Sequence, residues 1–363
     1  MNPIELFSED YAAARAAFLE RAAARRAEVQ SFVLNRTGPS GETLATDVAV
    51  LGPMESDTVV VISSGVHGPE GYVGSAIQNL MLDEQLDRLA PVTVVLVHAV
   101  NPFGYAWSRR VNEDGIDINR NFVDFTKPRP LRPAYDELHD ALVPTDWAGP
   151  ARAAADARIS RYIELHGQRA FQAAVTTGQY GHPDGICYGG DAPCWSNAMF
   201  RGLLGAHVQR RRHIVHVDLH TGLGLYGEPE LIYPWRNDPA GRNRVRSWFD
   251  YQVACFDDDS SVSVEVGGSI VTAFSQVIGT ATFSPIVVEY GTVPFETTTT
   301  ALRGDIWLWA RSNGSGVHAA EIQSYVRRAF FPDEEVWKRR TLQHAGSILR
   351  EAFAGIRRLL AGH

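Results

Sequence analysis

Short runs of β-branched and other apolar residues alternate with helical patterns along this 363-residue chain. Each run is short enough to be a strand buried inside a sheet. The runs are at residues 58–63, 92–97, 213–219 and 285–288, with a weaker one at 174–177. The main predicted helices are at residues 8–29, 70–89, 151–167, 195–210, 295–311, 318–330 and 333–360. Strands that alternate with helices indicate an α/β fold whose sheet is covered on both faces.

The composition is that of an ordinary globular protein, with 45% hydrophobic and 21% charged residues. A formal net charge of −8 argues against a nucleic-acid-binding protein, which usually carries a basic face. No stretch approaches the roughly 20 apolar residues that span a bilayer, and the N-terminus has no signal-peptide pattern. The three cysteines match no common zinc-binding spacing and indicate reduced thiols. We therefore predict a cytoplasmic protein without a membrane or nucleic-acid partner.

Chemically reactive residues follow the predicted strands. In an open α/β sheet, ligands bind beyond the carboxyl ends of the strands. The run at 58–63 leads to His67 and Glu70, the run at 213–219 leads to His220, and the run at 285–288 leads to Glu289. Two histidines and one carboxylate, with one position left for water, are the ligand set of a catalytic zinc site. The sequence therefore predicts that His67, Glu70 and His220 bind zinc.

Glu289 is a candidate general base. Zinc would lower the pKa of bound water toward about 7 and polarise a carbonyl group. A further carboxylate must then take up the proton. Glu289 is the candidate, because it follows a buried strand at the same edge of the sheet as the predicted zinc ligands. A salt bridge or a helix cap is the alternative role for this residue. His213 and His216 are three residues apart on a strand, which puts them on opposite faces, and we interpret both as structural.

The segment 109–122 is the most distinctive in the chain. Most of its residues are charged or asparagine, yet Ile116, Ile118 and Phe122 indicate that it is anchored. Guanidinium groups bind carboxylates through two hydrogen bonds, and a carboxylate such as Asp117 can orient a metal-bound imidazole. The segment is therefore predicted to contribute to the site.

The order of motifs resembles the zinc carboxypeptidase superfamily, which includes carboxypeptidase A-like enzymes and the aspartoacylase and succinylglutamate desuccinylase group. The motifs are His-x-x-Glu, Asn-Pro-x-Gly, Arg-x-Asn, Asp-x-Asn-Arg-Asn, Asp-Leu-His and a late Glu-x-Gly. His-Gly-Pro-Glu-Gly and Val-Asp-Leu-His-Thr-Gly are most similar to an uncharacterised bacterial branch of DUF2817 type. The resemblance covers a core at residues 58–292, and the N-terminal helix at 8–29 and the helical C-terminus at 295–360 extend it.

The resemblance implies a fold, a cofactor and roles for individual residues. The fold would be a mixed, mostly parallel eight-stranded sheet flanked by helices, and one zinc ion would be bound per chain. The implied roles are zinc ligation by His67, Glu70 and His220, general base catalysis by Glu289, support of His67 by Asp117, polarisation of the scissile carbonyl by Arg110, and binding of the substrate carboxylate by Asn119 and Arg120.

One expected contact is missing. Carboxypeptidase A-type enzymes carry a tyrosine about twenty residues before the base, and it closes over the substrate. No tyrosine lies between Tyr251 and Tyr290 in this chain. Either the contact is absent, or another residue such as Tyr226 or Tyr233 supplies it.

No repeat, low-complexity tract or clear linker divides the chain. Length alone would allow two domains. The candidate site residues nevertheless extend from His67 to Glu289, so one sheet must draw strands from most of the chain. We therefore predict a single domain over residues 1–363.

Together these features predict a zinc metallohydrolase that cleaves an amide bond next to a free carboxylate. The substrate would be either a peptide C-terminus, as for a carboxypeptidase, or an N-acyl amino acid, as for a deacylase. Two alternatives differ in class: a binding protein without zinc, and a cysteine hydrolase in which Cys187 lies beside His182. An oligomer is compatible with the sequence.

Overall fold

Eight strands form one mixed sheet in the computed structural model, which describes residues 2–256 and 260–362. The strands are β1 (Glu28–Thr37), β2 (Thr43–Leu51), β3 (Thr58–Ser64), β4 (Thr93–His98), β5 (His213–Gly222), β6 (Pro229–Tyr233), β7 (Val253–Cys255) and β8 (Thr282–Gly291). Their order across the sheet is β1-β2-β4-β3-β5-β8-β6-β7. The pairs β4–β3, β3–β5, β5–β8 and β6–β7 are parallel, and the other three are antiparallel. The predicted fold class, a mixed and mostly parallel eight-stranded sheet flanked by helices, is confirmed.

Helices surround the sheet. They are α1 (Tyr11–Ala24), α2 (Gly71–Asp83), α3 (Pro102–Ala106), α4 (Pro133–Leu142), α5 (Pro150–His166), α6 (Gln168–Thr176), α7 (Trp195–His207), α8 (Pro239–Arg246), α9 (Phe295–Ser312), α10 (Ala319–Phe330) and α11 (Glu335–Leu360). Short 3₁₀ helices lie at Pro3–Leu6, Gly68–Glu70, Leu86–Leu89, Ile118–Arg120 and Ile270–Gln276. None of the described helices combines the length and apolar composition that a membrane span requires.

The central strands are buried on both faces, which explains why their sequences are continuously apolar. In β3, Val60 and Ile62 pack in the hydrophobic cluster that includes α1, α2 and α11. Val59 and Val61, which point the other way, pack in the cluster that includes α7 and the 3₁₀ helix Ile270–Gln276. A third cluster joins α4, α5, α6, α9 and α10 beside the sheet.

The strand predicted at residues 174–177 is wrong, because this segment is the end of helix α6. Phe171 and Val175, four residues apart, are both buried in the third cluster and define one helical face. Three consecutive β-branched residues, at 175–177, favoured a strand, but packing against α5 and α9 decides the conformation.

Two predicted helices are shorter than expected. The helix predicted at 8–29 ends at Ala24, and β1 begins at Glu28. The helix predicted at 70–89 is interrupted after Asp83, where Gln85 adopts a left-handed conformation with φ of 55°. The proline-rich segment 127–150 contains α4, which its composition did not indicate.

The carboxyl ends of β3, β5 and β8 lie side by side. Ser64 pairs with Leu219, and His220 pairs with Glu289 across the parallel β5–β8 ladder. The three strand ends that carry the candidate site residues therefore meet at one edge of the sheet, as predicted.

Candidate metal centre

His67, Glu70 and His220 offer three ligand atoms that all lie within 4.8 Å of one another. His67 and Glu70 lie at the tight corner between β3 and α2, and His220 lies on β5. Gly68 makes the corner possible, since a Cβ there would lie 1.9 Å from the carbonyl carbon of Gly104. All three side chains are buried.

Both histidines direct Nδ1 toward the Glu70 carboxylate. His67 Nδ1 is 2.8 Å from Oε1, and His220 Nδ1 is 2.7 Å from Oε2. Burial alone would raise the pKa of Glu70, but the charges and hydrogen bonds of the two imidazoles outweigh it and hold the pKa well below the ordinary value. Glu70 is therefore a carboxylate at neutral pH, which is the form that binds a cation.

The opposite nitrogen of each histidine faces an aspartate. His67 Nε2 is 3.2 Å from Asp117 Oδ1, and His220 Nε2 is 2.7 Å from Asp218 Oδ2. Metal-bound histidines typically donate their second N–H to a carboxylate, which fixes the tautomer and the ring orientation. The arrangement leaves Nδ1 of both rings to face a cation.

Asp218 was not among the predicted site residues. It lies two residues before His220 on β5, and residues two apart on a strand share a face. This period could have identified it. Burial acts to lower the pKa of His220, but Asp218 and Glu70 together raise it well above the ordinary value.

Arg110 contacts both Asp117 and Glu70. Its Nε donates to Asp117 Oδ2 at 3.0 Å, and its Nη1 is 3.5 Å from Glu70 Oε1. The side chain lines the same cavity as the three candidate ligands. The guanidinium therefore carries a fixed positive charge at the edge of the metal-binding group.

Asn119 and Arg120 also line the cavity. Asn119 Oδ1 accepts a hydrogen bond from the backbone N–H of Ile270, at 2.8 Å. Arg120 donates from Nε and Nη2 to the carbonyl oxygen of Thr176 and from Nη1 to that of Asn119. A guanidinium has five N–H donors, so two of them have no hydrogen-bond partner among the described residues. The nearest carboxylate oxygen paired with Arg120 is that of Asp117, at 4.0 Å.

Glu289 lines the cavity beside His220 and has few partners. Among the described residues, only the backbone N–H of Leu223 donates to it, at 3.0 Å from Oε1. Burial and the negative charge of Glu70 raise its pKa to about 8. The salt bridge and the helix cap considered for Glu289 are both absent among the described residues.

The cavity has a volume of about 200 Å³. Apolar side chains form much of the rest of its wall, and they include Ile232, Val271, Val287, Leu302 and Phe330. No tyrosine lines it in the described part of the chain. Tyr226 instead donates to Glu334, and Tyr233 donates to Asp238. Neither of the two tyrosines considered for the missing contact faces the cavity.

Cys187 also lines the cavity, close to Arg110 and Asp117, a position that the sequence did not indicate. His182 does not line it, and its Nε2 lies 2.9 Å from Asp136 Oδ1. Burial raises the pKa of the Cys187 thiol. A buried neutral thiol is a poor nucleophile, so the geometry does not favour a cysteine hydrolase.

The family described as "Protein of unknown function (DUF2817)" matches residues 7–344. The chain belongs to the DUF2817 family. This confirms the resemblance to DUF2817-type proteins in the motifs around His67 and His220. No curated protein matches this chain.

Several solved structures show distant similarity to this DUF2817 protein. Bovine thrombin-activatable fibrinolysis inhibitor, in complex with tick carboxypeptidase inhibitor, is 10% identical, with 94% of this chain and 97% of that chain covered and a TM-score of 0.47. Succinylglutamate desuccinylase from Chromobacterium violaceum is 15% identical, with 83% and 75% covered and a TM-score of 0.38. Murein-tripeptide amidase MpaA from Escherichia coli O157 is 14% identical, with 86% and 97% covered and a TM-score of 0.36.

Proposed function

We propose that this chain is a zinc-dependent hydrolase that cleaves an amide bond next to a free carboxylate, as a carboxypeptidase does. The observation that carries the proposal is the convergence of His67, Glu70 and His220 within 4.8 Å. Beside them lies the carboxylate of Glu289, which accepts only one hydrogen bond among the described residues, from Leu223. Catalytic zinc sites have three protein ligands of this kind, and each histidine also has the supporting carboxylate typical of such sites.

The donor set fits zinc. Two imidazole nitrogens and one carboxylate oxygen converge, and Asp117 and Asp218 hold the rings so that Nδ1 faces inward. Zinc bound by these residues would supply a Lewis acid that activates a water molecule and polarises the substrate carbonyl.

Glu289 acts as the proton carrier. Its raised pKa suits a group that must take up a proton from the attacking water and release it to the leaving amine near neutral pH. The N–H of Leu223 holds Oε1, so Oε2 is the oxygen that exchanges the proton. Its pairing with His220 across β5 and β8 keeps the carboxylate beside the candidate ligands.

The three polar residues from the segment 109–122 bind and orient the substrate. Arg110 directs a positive charge to the side of the cavity where Glu70 lies and stabilises negative charge that develops on the carbonyl oxygen. Arg120 offers two free N–H donors to the substrate carboxylate, and Asn119 lies next to it. A carboxylate on a peptide C-terminus or on an N-acyl amino acid would bind here equally well.

We also propose that residues 1–363 act as one domain. Residues of α1 and α11 pack in the same hydrophobic cluster as Val60 and Ile62 of the central strand. The cytoplasmic location stays a prediction.

The test is an assay of N-blocked dipeptides beside N-acyl amino acids, with and without a chelator and after zinc is added back. We expect hydrolysis of one of the two substrate classes, loss of activity with chelator, and recovery with zinc. Cys187→Ala is the control and should retain chelator-sensitive hydrolysis. Turnover that is indifferent to chelator, or lost in Cys187→Ala with zinc still bound, would contradict the proposal. A chain that takes up no zinc and hydrolyses neither class would indicate the alternative, a binding protein without zinc.

A further inference from the structure

Behind Asp218 lies a buried chain of hydrogen bonds that the proposed mechanism does not use. Ser63 Oγ is 2.6 Å from Asp218 Oδ1 and 2.8 Å from His216 Nε2. All three side chains are almost inaccessible to solvent, with at most 1% exposed. The last member of this series of hydrogen bonds is His220, whose Nε2 is 2.7 Å from the other oxygen of Asp218.

We propose that Ser63 and His216 are positioning residues, which hold the Asp218 carboxylate and through it present Nδ1 of His220 to the metal. This inference rests on the proposed function, because it concerns the zinc site. It assigns a role to His216, which the sequence had suggested to be purely structural.

The direction of each hydrogen bond follows from the available protons. A carboxylate oxygen accepts hydrogen bonds, so the Ser63 hydroxyl donates its proton to Asp218 Oδ1, at 2.6 Å. A hydroxyl has one proton, and Ser63 Oγ can therefore only accept from His216. His216 must carry its proton on Nε2, and the protons all point along the chain toward Asp218.

The sheet and the helices packed on it hold these hydrogen-bonded side chains in place. Ser63 pairs with Asp218 in the parallel β3–β5 register, and His216 lies two residues before Asp218 on the same face of β5. The centroid of the His216 ring lies 4.6 Å from that of the Phe274 ring, and the two ring planes are tilted by 33°. His216 Nδ1 has no hydrogen-bond partner among the described residues, and burial lowers the pKa of His216 to about 4, so the ring is neutral.

The two metal-facing histidines thus have different support. Asp117 receives a hydrogen bond from the charged guanidinium of Arg110 and lies in a loop. Asp218 receives one from a neutral serine and lies inside a strand. Among the described residues, only Ser63 hydrogen-bonds to Asp218 Oδ1, so without the Ser63 hydroxyl the carboxylate would lose the contact that fixes its rotation.

The chain offers matched controls on the opposite face of the sheet. Ser64 is next to Ser63, is equally buried and hydrogen-bonds to Gln78, so Ser64→Ala removes a buried hydroxyl away from the site. His98 mirrors His216: it is buried, its Nε2 is 2.9 Å from Ser75 Oγ, and its ring stacks on Phe18. His98→Phe is therefore the control for His216→Phe.

The experiment measures the zinc dissociation constant of the full chain by competition with a chromophoric chelator, and the thermal unfolding of the same variants in excess chelator. We expect Ser63→Ala to weaken zinc binding about tenfold, the lower end of the effect of residues that support metal ligands. His216→Phe should weaken it several-fold, and Ser63→Thr, which keeps the hydroxyl, should stay within about twofold of the unsubstituted chain. Ser64→Ala and His98→Phe should lose thermal stability but bind zinc normally.

Each outcome decides the inference. An unchanged zinc constant in both Ser63→Ala and His216→Phe would overturn it, and so would equal losses in the two control variants. If one variant fails to fold, the other still carries the test. If the unsubstituted chain takes up no zinc, the proposed function fails together with this inference. If it binds zinc and only the Ser63 and His216 effects are missing, the inference alone fails.

Discussion

Two glutamates face the same cavity, and their surroundings differ sharply. Glu70, at the corner after β3, has an imidazole nitrogen within 2.8 Å of each carboxylate oxygen. Glu289, on β8, receives only the N–H of Leu223 among the described residues. The pKa of Glu70 is lowered, because the imidazoles outweigh burial, whereas burial and the charge of Glu70 raise the pKa of Glu289.

The surroundings of each glutamate indicate its role. A carboxylate that stays ionised suits a metal ligand, and one whose pKa lies near neutral suits a general base. Two residues of the same type therefore acquire opposite roles from their neighbours alone. Substitutions at the two positions should therefore have separable effects on zinc binding and on catalysis.

The largest effect is expected from replacing each glutamate by glutamine. Glu289→Gln should keep zinc and lower kcat/KM by about 10²–10⁴-fold, because it removes the proton acceptor. Glu70→Gln should lose zinc and activity together, because an amide is a poor ligand for the cation. Metal analysis and steady-state kinetics on the same samples check both. Equal zinc loss in the two variants would erase the distinction between them.

The pH dependence of kcat/KM should report the ionisation of Glu289. Glu289 works as a base only when ionised, so kcat/KM should fall as the pH decreases through its pKa. That pKa is raised from 4.5 to about 8, and a bound cation would lower it, so we expect the acid limb between these values. The measurement is kcat/KM against pH with zinc content verified at each point. A profile that stays flat down to about pH 4.5 would mean that Glu289 is not the base.

A smaller effect is expected from Gly222→Ala. A Cβ at this position would lie 3.0 Å from Glu289 Oε1 and would displace the carboxylate slightly. We expect a several-fold lower kcat/KM with unchanged zinc affinity, since a small misplacement of a catalytic group reduces rate. Kinetics beside zinc competition would separate the two quantities. A loss of zinc affinity in this variant would contradict the prediction.

Much of the site could be predicted from the sequence, because parallel strands bring their carboxyl ends to one edge of a sheet. His67 and Glu70 follow β3, and His220 and Glu289 lie near the carboxyl ends of β5 and β8. The polar segment 109–122 suggested Asp117 as the support of a metal-bound imidazole, but the assignment of Asp117 to His67 depended on the family resemblance, because the two residues are 50 positions apart. Neither source suggested Asp218, although the period of two along β5 places it on the same face as His220.

Other contacts in the candidate site could not be predicted from the sequence, because they depend on packing between distant segments. The contacts of Arg120 with the Thr176 carbonyl require helix α6, where the sequence favoured a strand. The bond from Ile270 to Asn119 joins residues that are 151 positions apart. The chain Asp218–Ser63–His216 exists only once β3 and β5 pair in the observed register.

The most direct test of the central claim is the metal content of the unsubstituted protein after expression with zinc in excess. The proposed site predicts about one equivalent of zinc per chain, which a His220→Ala variant should lose. Less than about a tenth of an equivalent in the unsubstituted protein would contradict the claim that His67, Glu70 and His220 form a zinc centre.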